Sequence, residues 1–144
     1  MIEQDTIRLL RECDAGVKMG VDSICQVLPR VKSGDFKLRL EKSKAEHNKL
    51  SSEIEKELSR YHDDGKAPNP MAKTMSTLKT NMELMLHEDD KTIASLMTDG
   101  CGMGVKSLNQ YLNEFEAADE RSKEICKRLI NLEESLTHQI RDFL

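Results

Sequence analysis

The amino-acid sequence predicts an all-α protein. It reads as a bundle of four long helices arranged as two repeated hairpins, with a short extra helix in the long crossover between them. Three observations carry that prediction. Apolar residues recur three and four positions apart along nearly all of the 144 residues, and nowhere do they alternate as in a half-buried strand. Aromatic residues make up only 3% of the chain and tryptophan is absent, while methionine occurs eight times. Such a core is built from aliphatic and thioether side chains, which favours helix-on-helix packing over a sheet sandwich. Finally, the decapeptide MGVDSICQVL (Met19 to Leu28) returns as MGVKSLNQYL (Met103 to Leu112) with six of ten positions identical.

The first helix is drawn by Ile7, Leu10, Val17, Val21, Ile24, Leu28 and Val31, with a gap at Asp14 where an apolar residue is due. Asp5 or Thr6 supplies a cap for its start, and Pro29 stands late enough to kink or close it. Ser33-Gly34-Asp35 makes the turn. The second helix places Phe36, Leu40, Leu50, Ile54, Leu58 and Tyr61 on one face, interrupted by Ser43 and His47. HDDGKAPNP, His62 to Pro70, is a break rich in turn formers. Met71, Met75, Leu78, Met82 and Met85 then outline a shorter amphipathic helix. Asp89 or Asp90 caps a third long helix, with Ile93, Met97, Cys101, Val105, Leu108, Leu112 and Phe115 inward. A turn near Ala117-Ala118-Asp119 leads to the fourth, carrying Ile125, Leu129, Leu132, Leu136, Ile140 and Phe143. One domain, 1–144, is expected: hairpin 1–62, crossover 63–88 and hairpin 89–144.

The glycines fit this plan. Gly20 and Gly104 occupy the same place in the two repeats, mid-helix, where each costs about 1 kcal/mol relative to alanine. Gly16, Gly100 and Gly102 add to that cost. The expectation is a close backbone approach of helices one and three across an approximate twofold axis.

Composition excludes several functions. Charged residues reach 33% but are mixed in sign, with a net charge of −4, whereas nucleic-acid binding calls for a basic face. No apolar run approaches the roughly 20 residues of a bilayer span. The first residues, MIEQDTIRLLREC, lack the basic flank and apolar block of a secretory signal, so a cytoplasmic location is expected. Cys13, Cys25, Cys101 and Cys126 show no CxxC spacing and are expected to be reduced, buried, small hydrophobes.

Leu9 to Ile24 (LLRECDAGVKMGVDSI) and Leu96 to Leu112 (LMTDGCGMGVKSLNQYL) each carry an acidic, glycine-rich element. Together with two hairpins joined by a long crossover, they resemble the ferritin-like superfamily, and within it small bacterial ferritin-like domains. The resemblance spans nearly the whole chain and implies the fold. Di-iron members of the superfamily place one Glu on each of two helices and a Glu-x-x-His on each of the other two. Here Glu46 and His47 are adjacent, Glu53 lies farther along, Glu134 and His138 are four apart, and no Glu-x-x-His occurs. The full di-iron ligand set is therefore not written in this chain, which argues against oxidase, desaturase and iron-storage roles.

Asp14 and His47 interrupt apolar stripes. Three arrangements fit them: a satisfied boundary acid and core histidine, a structural polar pair, or metal ligands acting with Asp99 toward iron, manganese or zinc. Glu134 and His138 read as a solvated pair. The Met71–Met85 face covers the bundle or docks a protein partner or second copy. No nucleophile stands beside a histidine in a recognisable motif, and DGCGMG lies inside a helix rather than at a phosphate-binding turn. The expected function is thus non-enzymatic, through self- or partner association, with metal binding at a reduced site as the alternative.

Overall fold

Four long helices follow from those stripes. The computed structural model describes residues 2–68 and 89–144; the expected Met71–Met85 helix lies outside them. Helix α1 spans Ile2–Val27, α2 Gly34–Ser59, α3 Asp90–Glu114 and α4 Glu120–Ile140, and no strand occurs among the described residues. Pro29 closes α1 rather than kinking it: Leu28–Arg30 tighten into a 3-10 turn. Ser33 then caps α2, its hydroxyl accepting from the Phe36 N–H. Asp89 caps α3 through Thr92 and Asp119 caps α4 through Ser122, each at 2.8 Å.

Helix directions follow from which ends touch. Asp90, at the start of α3, meets the α1–α2 turn, and Phe36 of α2 stacks on Phe143 beyond α4 with ring centres 4.6 Å apart. At the opposite end the start of α1 meets the α3–α4 turn. Helices α1 and α4 therefore run one way and α2 and α3 the other, so the end of α2 and the start of α3 lie at opposite ends of the bundle. Around the bundle the order is α1, α2, α4, α3, with α1 also reaching α4 across the diagonal while α2 and α3 barely touch.

Thr6 and Asp5, expected to cap α1, do something else. Helix α1 begins before them at Ile2, and their oxygens accept from the backbone N–H groups of Asp119 (2.8 Å) and Ala117 (3.1 Å). Asp90 acts in the same way on the other hairpin, its two oxygens accepting from Lys32 and Ser33 at 2.8 Å each. Each hairpin's turn is thus held by side chains that begin a helix of the other. These acceptors satisfy turn donors that have no helical partner.

Buried apolar side chains fall into two groups. Leu10, Val17, Ile54, Leu58, Ile125 and Leu129 belong to the layer near the α3–α4 turn. Ile24, Phe36, Leu40, Ile93, Leu136 and Ile140 belong to the layer near the α1–α2 turn. Each fully buried aliphatic contributes about 1.5–3 kcal/mol. Of the cysteines, Cys13, Cys101 and Cys126 are buried as expected, but Cys25 is exposed on the outer face of α1. Between the two apolar layers lies a polar one.

The turn clamps have a measurable consequence. Replacing Asp90 by alanine removes two charge-assisted acceptors and should cost about 1–3 kcal/mol of unfolding free energy, read as a shifted urea midpoint at unchanged slope. Asp99→Ala on the exposed face of the same helix should stay within about 0.5 kcal/mol of the parent.

Candidate functional site

The polar layer begins with the stripe of α2. Its buried positions are Phe36, Leu40, Ser43, His47, Leu50, Ile54 and Leu58, so the interruptions at Ser43 and His47 point straight into the bundle. His47 is fully buried. On α4 the inward positions are Ile125, Cys126, Leu129, Ile130, Glu133, Leu136 and Ile140. Glu133, not the half-buried Leu132, occupies the slot between Leu129 and Leu136, and it is only 8% exposed.

These two side chains meet. His47 Nε2 lies 2.6 Å from Glu133 Oε1, and His47 Nδ1 lies 2.8 Å from the Ser43 carbonyl oxygen. Both ring nitrogens face acceptors, so the arrangement is that of an imidazolium donating twice. Burial alone pushes the ring toward its neutral form. The hydrogen bond and charge of Glu133, aided by the Ser43 carbonyl and by Glu46, outweigh burial and raise the pKa above its ordinary 6.5. The pair carries no net charge.

The mid-helix glycines find their explanation here, and it differs from the expected one. A Cβ built on Gly20 would stand 3.0 Å from the His47 ring and 3.3 Å from Glu133 Oε1. One built on Gly104 would stand 3.7 Å from Glu133 Oε2, with no atom of α1 within 4 Å. The two glycines therefore do not bring helix backbones together. They flank one carboxylate from opposite sides, and the helices that bear them leave space between.

That space is a cavity of about 390 Å³ between α1 and α3. The α1 wall is formed by Ala15, Gly16, Met19, Gly20 and Ser23, and the α3 wall by Met97, Gly100, Met103, Gly104 and Ser107. His47, Glu133 and Cys101 close the floor, while Glu12, Lys66 and Tyr111 stand at one end. Burial, then the charge of Glu133 and a hydrogen bond to it, push the Cys101 thiol far up, so it stays protonated. A second hollow, lined by Glu46, Lys49, Leu50, Arg128, Asn131 and Leu132, is an open furrow on the α2–α4 surface. Beside it Arg128 is already held by Glu53 through two bonds of 3.0 and 2.7 Å.

Asp14 serves a separate purpose. Its Oδ2 accepts from Lys18 Nζ at 2.7 Å and from the Lys66 N–H at 2.9 Å, while Oδ1 is buried without a protein partner. The chain leaving α2 is thereby tied to the middle of α1. Gly65 makes the close approach possible: its φ is +88°, and a Cβ there would fall 2.3 Å from Asp14 Oδ2. Glu12 reinforces the tie through Lys66 Nζ.

Asp14, His47 and Asp99 are consequently not one site. Asp14 holds the strap, His47 faces Glu133, and Asp99 is exposed on α3. Among the described residues no three His, Cys, Asp or Glu side chains are grouped to hold a metal ion. Glu134 and His138 are exposed, as expected of a solvated pair. Comparison of the chain with protein-family models, curated proteins and solved structures finds no match.

Two outcomes test the site. Because the folded His47 pKa is raised, its contribution to stability is complete below pH 6.5 and declines as pH rises through the folded value. Denaturant unfolding of the wild type should show that decline, and His47→Leu should lack it. That variant leaves Glu133 unpaired and should lose about 3–5 kcal/mol, while His47→Leu combined with Glu133→Leu should recover most of the loss. Separately, Gly100→Ala should raise stability by up to about 1 kcal/mol, since its Cβ enters open space, whereas Gly20→Ala should lower stability by displacing His47; thermal melts read both signs.

Proposed function

We propose that this chain is a ferritin-like bundle protein that acts by binding rather than by catalysis, and that it holds a small molecule between α1 and α3. The cavity of about 390 Å³ with a buried His47–Glu133 pair at its floor carries the proposal. A concave, mostly apolar site with a few fixed polar groups is the usual form of a small-molecule pocket.

The ferritin-like part rests on topology and reciprocity. A single long crossover between two antiparallel helical hairpins is the connectivity of ferritin-like bundles. The turn clamps are reciprocal, with Asp90 serving the first hairpin as Thr6 and Asp5 serve the second. His47 and Glu133 come from similar depths of the two returning helices, and Gly20 and Gly104 from matching places in the sequence repeat. Descent from one duplicated hairpin accounts for all three.

Binding is favoured over catalysis because the floor offers no activated group. The Cys101 thiol is protonated, hence a poor nucleophile, and the imidazole is occupied on both nitrogens. Association with a second copy or a protein partner was expected at Met71–Met85, outside the described residues. Large exposed apolar side chains among the described residues sit on α1 (Ile2), α2 (Leu38), α3 (Met103) and at the C-terminus (Leu144), and Met103 belongs to the cavity mouth.

The neutral dye N-phenyl-1-naphthylamine, which fluoresces on leaving water, tests the proposal. A saturable one-to-one rise is expected, weakened about tenfold or more in Gly100→Leu, where the new side chain fills the open space. An unsaturable signal, or undiminished binding by a folded Gly100→Leu protein, would reject it.

A further inference from the structure

The lining of the cavity narrows its occupant to one chemical class. We infer that the site takes an uncharged aromatic molecule bearing one hydroxyl or N–H donor, seated with that donor on Glu133 Oε2. The assignment rests on the cavity being a binding site and adds what it selects.

Charge comes first. The charged side chains lining the cavity, among the described residues, are Glu12, His47, Lys66 and Glu133. They are already matched, Lys66 to Glu12 and His47 to Glu133. A cationic or anionic ligand would bring a charge that finds no unmatched partner among these residues, and burying an unpaired charge is penalised. Neutral molecules escape that penalty.

The buried carboxylate comes second. His47 takes Glu133 Oε1, and Oε2 lies on the Gly104 side, 3.7 Å from where a Cβ there would be. Glycine at position 104 leaves that oxygen approachable from the cavity. An oxygen of a buried carboxylate accepts and does not donate, so the ligand must bring the hydrogen. A ligand without one leaves the Glu133 carboxylate only the weak Cys101 thiol as a further donor on this side, and selectivity between otherwise identical molecules follows.

Shape and polarisability come third. Gly16 and Gly20 line one wall and Gly100 and Gly104 the other, and on the second wall a Cβ at position 100 or 104 would meet nothing nearer than 3.7 Å, which leaves room for a flat ring. Met19, Met97 and Met103 bring thioether sulfurs to the same walls, and such sulfurs contact aromatic rings favourably. Tyr111 supplies an aromatic face at one end.

A series of equal shape separates these requirements: naphthalene, 2-naphthol, 2-naphthylmethylammonium and 2-naphthoate, titrated into the full-length protein at pH 7 and followed by the amide NMR signals of Gly20 and Gly104. 2-Naphthol should bind tightest, naphthalene about tenfold or more weaker for want of the donor, and both ions weaker than naphthol by at least as much. Glu133→Gln should shrink the naphthol advantage. Should that variant not fold, Gly104→Val, which screens Oε2, should do the same. Equal binding of naphthol and naphthalene, or preference for either ion, overturns the ligand class while leaving a binding cavity in place. Absence of saturable binding by all four overturns the binding function itself.

Discussion

The buried His47–Glu133 pair is the constraint around which the rest of the bundle is arranged. It interrupts the hydrophobic core at mid-height, separating the layer around Ile54 and Leu129 from the layer around Leu40 and Leu136. Such a pair is rarely the most stable filling for a core, because removing two charges from water offsets their attraction. Here the Ser43 carbonyl completes the imidazolium's hydrogen bonds, and the apolar layers on both sides supply the stability that the middle does not. Glycine on α1 is the steric consequence: at position 20 any side chain would press on the ring.

The two ends of the bundle compensate for its open middle. Asp90 grips one turn while Asp5 and Thr6 grip the other, and Phe36 stacked on Phe143 closes the end near the α1–α2 turn, with Arg39 over the same ring at 5.2 Å. Between these fastenings α1 and α3 need not touch along their whole length. The strap after α2 is pinned at half-height by Asp14 and Glu12, so the cavity's end at Lys66 is fixed by two carboxylates of one helix. Fold and cavity thus share a cause: helices held at their ends and relieved of side chains at their centres.

Much of this was legible in the residues. Periodicity located all four long helices, the turn chemistry placed the Ser33, Asp89 and Asp119 boundaries, and the polar breaks at Asp14 and His47 marked the two buried polar centres. The partner of His47 was missed because α4 supports two phases. Leu132 and Glu133 are neighbours, and choosing the leucine turned the glutamate outward. Leu129 and Leu136 flank the two equally, but Cys126 and Ile130 lie on Glu133's side of the face, so the signal was present. Asp5 and Thr6 misled for another reason, since an acceptor at a helix start has the same signature whether its donors are local or on a remote turn. The glycines announced that something lies close to α1 and α3, but a bare sequence does not distinguish a backbone from a carboxylate.

The account stands on the protonated state and position of one ring. Nitrogen-15 NMR of His47 at pH 6.5, the ordinary imidazole value, tests it most directly. Both ring nitrogens should carry protons, with the Nε2 proton far downfield, slow to exchange with water, and showing a nuclear Overhauser contact to the α-protons of Gly20. A neutral, freely exchanging ring that titrates at or below 6.5, without contact to Gly20, would contradict the buried pair, and with it the explanation of the glycines and of the cavity they open.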